Sequence, residues 1–255
     1  MVDYSVLNMS KKSKKEYISL LKKELFPVIG NNVKYDNGSF ILNDNKIFNK
    51  NHWVAYNNHI YQVNKKIPRT ITVYLQKYRW LMFKFQKNKR APENWKNFDT
   101  RPSDDAVFGW KELFAKSSPD MSGVYFNKGH LIGAKLLPYA TRFKIERSLN
   151  FVPLTNWANR ANSKLAKGMH FFENELLGWL KELSSSEKIF YRVTPIFFDT
   201  DLIPRGIVVE GKLINSSNTK VHSTKIKETE FNVLIPNTQN NLKIKYKNPT
   251  GYKII

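Results

Sequence analysis

A chain of 255 residues is long enough for one large domain, or one domain and a small appendage. Hydrophobic residues at 41% and aromatics at 14% are enough for a packed core and exclude disorder over most of the length. Lys and Arg number 42 against 21 Asp and Glu, a formal charge of +21, and the chain has no cysteine. Disulfides, thiolate metal sites and cysteine nucleophiles are thereby excluded. The charge favours a polyanionic partner, nucleic acid or an anionic membrane surface, although a generally lysine-rich proteome gives the same excess.

Residues 10–26 read as a short basic helix, with Tyr17, Ile18, Leu20, Leu21 and Leu25 on one side and a stop at Pro27. Residues 30–51, rich in Asn, Gly and Asp, read as turns between short strands. The expected division is an N-terminal accessory region of basic helix and turns at 1–50, followed by the main domain at 51–255. The first residues show no charged-then-apolar leader and no apolar run is long enough to span a membrane. The expectation is a soluble protein, either cytoplasmic or exported by a route in which no leader is read or a leader has been removed.

Residues 59–63 and 69–75 carry the β-branched and aromatic character of strands. Between 84 and 96 basic residues, among them Lys87, Lys89 and Arg90, alternate with Phe85 and Trp95. That mixture suits phosphate contact with base stacking, and also an ordinary exposed loop. The acidic pair Asp104-Asp105 falls in a predicted loop and carries less weight than the residues downstream.

Gly123 to Phe126 reads as a strand running into Asn127-Lys128-Gly129-His130, with a helix-like return after it. Phe171 to Leu183 is the strongest helical pattern in the chain. Strands are predicted at 189–198, 207–211 and 231–236. The fold class is α+β: a central antiparallel sheet flanked by helices.

Phosphodiester hydrolysis needs a base for water, a cation at the developing charge and help for the departing oxygen. His130 is the candidate base, and Lys128 would meet a phosphate as a point charge. Mg²⁺ keeps most of its water and takes one or two protein oxygens, so the carboxamide of Asn159 is a suitable ligand. Arg160, the next residue, is a candidate contact to nucleic acid. Glu173 would orient a metal-bound water. On one unbroken helix Asn159 and Glu173 would lie about 21 Å apart, so a break is required, and Gly168 is its natural place. His52, His59, His170 and His222 compete with His130, and Asn150, Asn156 and Asn162 with Asn159.

At these residues the chain resembles the DNA/RNA non-specific endonuclease family, the ββα-metal nucleases, especially its streptococcal DNA-uptake branch and related exported bacterial nuclease toxins. Lys128-Gly129-His130-Leu131 is similar to the family's Asp-Arg-Gly-His-Leu motif. Leu149-Asn150-Phe151 and Thr155-Asn156-Trp157-Ala158-Asn159 resemble its asparagine block, and Phe171-Phe172-Glu173 its helix carboxylate. Tyr191 to Pro195 and Leu202 to Gly206 resemble its later strand pair and the loop joining them. The resemblance implies a sequence-non-specific endonuclease leaving 5′-phosphate ends, with His130 as general base, Asn159 on a single Mg²⁺ (or Mn²⁺), and Asn150 and Glu173 in support. The motif's acidic residue is Asn127 here and its arginine is Lys128, changes that would slow the enzyme or leave a nucleic-acid-binding protein on the same fold. Nucleic acid is the implied partner, and use as a toxin would add an immunity or inhibitor protein.

Overall fold

The computed structural model describes residues 33–42, 68, 70–77, 102–114, 125–141, 147–163, 166–197, 201–221, 225–239, 242–244 and 252–254. The helix expected at 10–26, the strand at 59–63 and the basic stretch with Lys87, Lys89 and Arg90 lie outside these residues. Among the described residues no helix is long and apolar enough to cross a membrane.

The centre is an antiparallel meander of three strands: β7 (Glu187–Ile196), β8 (Gly206–Asn215) and β9 (Glu230–Pro236). β3 (Ile71–Leu75) pairs with the outer side of β7, and β5 (Ala140–Thr141) follows it at the edge. At the other edge β1 (Val33–Asp36) and β2 (Ser39–Leu42) form a hairpin whose second strand pairs with β9. Its two-residue turn is Asn37-Gly38, with φ of 43° and 84°. Both values are positive, which Asn and Gly accept and most side chains do not. The seven-stranded order is β1-β2-β9-β8-β7-β3-β5. Strands from the 1–50 region thus extend the edge of the main sheet.

Alternation decides which face is buried. Ile189, Tyr191 and Val193 of β7, Ile207, Val209 and Leu213 of β8, and Val233 and Ile235 of β9 point to one side. There they meet Met169, Phe172, Leu176, Trp179 and Leu180 of the long helix α3 (Met169–Glu182). Phe231 packs against Phe172 and Trp179 at 5.1 and 5.4 Å between ring centroids. The molecule is α+β, as expected. The helix begins immediately after Gly168, as the spacing argument required.

A second, two-stranded sheet carries the motif: β4 (Phe126–His130) against β6 (Phe151–Thr155), with His130 opposite Phe151. The sequence placed a strand at 123–126 and left the motif beyond it. In the structure the motif is the strand, because pairing with Phe151–Thr155 outweighs the poor strand preference of Asn, Lys and Gly. The return after it contains short 3₁₀ turns at Leu137–Tyr139 and Arg147–Asn150 among its described residues. Two short helices, α1 (Trp110–Leu113) and α2 (Asn156–Arg160), pack by the β4–β6 pair, and β10 (Leu242–Ile244) pairs with β11 (Tyr252–Ile254) in a separate sheet.

Candidate functional site

His130 closes β4, half-buried, with its ring 4.3 Å from that of Phe151 and its Nε2 atom buried. The chain leaves the strand through Leu131, Ile132 and Gly133, and Asn150 fixes this exit. Asn150 is fully buried; its Oδ1 accepts from the Ile132 N–H at 2.9 Å and its Nδ2 donates to the Ile132 carbonyl at 3.0 Å. Its own carbonyl accepts from the Leu131 N–H at 2.8 Å. One carboxamide thus satisfies both backbone groups of Ile132, and the two residues behind His130 are held as in a strand pair.

Glu173 reaches the same exit from α3. A Cβ built on Gly133 would fall 2.3 Å from Oε1 and 2.5 Å from Oε2 of Glu173. The Gly133 N–H hydrogen-bonds the carboxyl group. Burial pushes the Glu173 carboxyl up to about 8, while the Gly133 N–H and the charge of exposed Lys135 pull it back down. Beneath it the Tyr191 phenol is held well above its ordinary value by burial and then by the Glu173 charge. The Tyr191 hydroxyl is buried and, among the described residues, has no hydrogen-bond partner.

Asn159 sits half-buried on α2, which packs on β4, β6 and α3. Thr155 caps this helix by accepting from the Ala158 N–H at 3.1 Å. At its far end Gly168 closes the turn into α3: its N–H donates to the Ala161 carbonyl at 2.8 Å, and a Cβ there would lie 2.5 Å from the Trp157 carbonyl oxygen. That close approach lets α2 and α3 lie side by side. Among the described residues no group hydrogen-bonds the Asn159 carboxamide. Arg160 is exposed at the end of α2, and His170 is exposed on α3.

Asn127 is buried and its Nδ2 lies 3.4 Å from Asn156 Oδ1, a long contact between the motif strand and the start of α2. Lys128, expected at a phosphate, has its ammonium on the Pro102 carbonyl and the Asp104 carboxylate.

Sequence reasoning missed the segment after β9. Asn237 is fully buried; its Oδ1 accepts from the Thr155 N–H at 2.8 Å, and its Nδ2 donates to the carbonyls of Pro153 at 2.9 Å and Pro204 at 2.8 Å. The Thr155 hydroxyl donates to the Thr238 carbonyl at 2.9 Å, and Gln239 Oε1 accepts from the Trp157 N–H at 3.2 Å. These residues set the position from which α2 starts. Their sequence, a polar run after an apolar strand, reads as an exposed loop.

No family model matches the chain. Among solved structures it is similar to NucA from Streptococcus agalactiae with a magnesium ion bound, at 23% identity and a TM-score of 0.56, covering 96% of this chain and 100% of that one. The same protein with no metal bound matches at 22% identity and a TM-score of 0.55, covering 97% and 100%. The likeness establishes a shared fold over nearly the whole of both chains.

Proposed function

We propose that this protein is a Mg²⁺-dependent, sequence-non-specific endonuclease that hydrolyses phosphodiester bonds of DNA, and of RNA through the same backbone chemistry, leaving 5′-phosphate ends. The observation that carries the reading is the convergence on one loop of His130, the Asn150 clamp behind it and the buried Glu173 carboxyl. It is supported by the fold shared with NucA, for which a magnesium-bound form is known, and by the charge of +21. The catalytic unit is assigned to residues 51–255, with β1 and β2 of the N-terminal region joined to its sheet.

The His130 imidazole accepts the proton of the attacking water. Asn150 keeps that imidazole in place by fixing the backbone that follows it. The donors suit a hard cation. There is no cysteine, so the side-chain donors of the chain are oxygen and nitrogen, with thioether sulfur only from methionine. The Asn159 carboxamide oxygen offers the single protein ligand that Mg²⁺ accepts while keeping its water, and Mn²⁺ fits the same donors. A cation held by Asn159 would supply positive charge for the charge that develops on the phosphate. Glu173, from the next helix, orients water at the site, and Arg160 with Lys87, Lys89 and Arg90 meets the phosphate backbone.

Plasmid degradation with and without EDTA tests the reading. Metal-dependent smearing of all sequences is expected, with His130→Ala losing about 10²- to 10⁴-fold in rate while still binding DNA in EDTA. Unchanged cleavage by His130→Ala would remove the base assignment, and absence of cleavage by the intact protein would remove the enzyme reading.

A further inference from the structure

Lys128 occupies the motif position at which a cation is expected to touch phosphate, yet its ammonium is already engaged. It donates to the Pro102 carbonyl oxygen at 2.6 Å and lies 2.5 Å from Asp104 Oδ1, with the Trp110 ring centroid 5.4 Å away. An ammonium has three protons, and among the described residues two oxygens and an indole face surround it. The Lys128 side chain is 12% exposed, whereas that of Asp104 is 66% exposed. The lysine is therefore covered and the carboxylate lies over it from the solvent side. Withdrawing Lys128 to reach a substrate would also strand the carbonyl of the buried Pro102.

Lys128 and His130 are two apart on one strand, so their side chains share a face of β4. The residues that hold Lys128 stand on the His130 side. Phe126, on the same face, meets Phe114 edge-on at 6.4 Å at the other end of the 102–114 segment. The outer side of that segment is fixed as well. Phe108 packs edge-on against Phe197 at 5.8 Å, and Gly109, at φ 76°, approaches the backbone so closely that a Cβ would fall 1.9 Å from the Leu202 carbonyl oxygen. The segment lies along the face of β4 that carries Phe126, Lys128 and His130, and its charged tie to that strand is the Asp104–Lys128 pair.

We propose that Lys128 and Asp104 form a strut that fixes the 102–114 segment against the His130 face of β4, with Lys128 a positioning residue rather than a phosphate contact. The inference deepens the endonuclease reading and rests on it for the catalytic consequence. Phosphates are then met by exposed cations beside the site, Lys135 and Arg160 among them.

The test uses the full chain with Lys128→Gln, Asp104→Asn and the double variant. Three readouts are taken: urea unfolding, cleavage kinetics, and the salt dependence of DNA binding in EDTA. A strut predicts that each single substitution lowers the unfolding midpoint and that the double variant is no worse than the poorer single. It predicts a loss of about tenfold in kcat with KM nearly constant, as for a small misplacement of the base. It also predicts an unchanged salt slope for Lys128→Gln, whereas Arg160→Gln lowers the slope by about 0.9, one phosphate contact. A slope lowered by that amount in Lys128→Gln, or additive effects of the two substitutions on unfolding, would overturn the proposal. Should the intact protein show no metal-dependent cleavage, the endonuclease reading fails, and the unfolding cycle still decides whether the strut exists.

Discussion

The carboxyl group of Glu173 occupies the space that a side chain on Gly133 would fill, with Oε1 2.3 Å and Oε2 2.5 Å from the position of a Cβ. The glycine is required by contact rather than by backbone angle. Gly133→Ala forces the carboxyl away from the loop that follows His130. The displaced atoms are the end of a flexible side chain, so the stability cost belongs near the low end of the about 1–3 kcal/mol typical of overpacking. Cleavage should suffer more than folding. Urea unfolding checks the first part, and the double variant Gly133→Ala, Glu173→Ala, in which the clash is gone, should recover most of the lost stability.

Glu173 also sets a pH dependence. Its folded value is raised from 4.5 to about 8, first by burial. The folded protein therefore holds a proton that the unfolded chain has released between these values. The stability contributed by this group is fully present below about pH 4.5 and is lost as pH rises through about 8. Glu173→Gln keeps an acceptor for the Gly133 N–H and cannot ionise, so its unfolding free energy should decline less over that window than that of the unmodified protein. Lys135→Gln removes a charge that favours the ionised form and should push the carboxyl higher still. Parallel pH–stability curves for the Glu173→Gln and unmodified proteins would contradict the assignment.

Asn150→Ala separates clamping from chemistry. Truncation leaves the buried N–H and carbonyl of Ile132 without the carboxamide that satisfies them at 2.9 and 3.0 Å. At about 1–3 kcal/mol for each orphaned group the loss is about 2–6 kcal/mol. Asn150→Asp keeps the acceptor but sets a carboxylate against the Ile132 carbonyl in a buried place, and should be at least as damaging. Calorimetric unfolding of both variants checks the order.

How far the sequence disclosed this arrangement depends on the range of the interactions. The start of α3 was legible because a glycine beside a helical pattern is a local signal, and Gly168 marks it. β3, β7, β8 and β9 were legible because burial on a sheet face imposes alternation, as Ile189, Tyr191 and Val193 show. The motif strand was not, since Asn127, Lys128 and Gly129 lack strand preference and acquire extended structure from partners some 25 residues later. Least legible were the polar ties. Asp104 reads as a loop carboxylate until Lys128 is seen beneath it. Asn237 meets Thr155 across 82 residues of sequence. A hydrogen bond between distant positions leaves no period in the chain and no composition to detect.

That last tie gives a prediction remote from the reacting groups. Asn237 joins β6 to the loop before β8 through the Thr155 N–H and the carbonyls of Pro153 and Pro204. Thr155 in turn caps α2, which carries Asn159. Asn237→Ala breaks all three bonds in a fully buried place, and at about 1–3 kcal/mol for each orphaned group it should be among the most destabilising single substitutions in the protein. Asn237→Asp keeps the acceptor for Thr155 but sets a carboxylate against the buried carbonyls of Pro153 and Pro204, so it should be at least as damaging. Because α2 would start from a loosened base, folded Asn237→Asp protein should bind Mn²⁺ more weakly than the unmodified protein in a calorimetric titration, with Asn159→Ala as the reference for full loss. Equal Mn²⁺ affinity in Asn237→Asp and the unmodified protein would show that α2 holds its place without this suture, through anchors such as Thr155, Gln239 and the Gly168 turn.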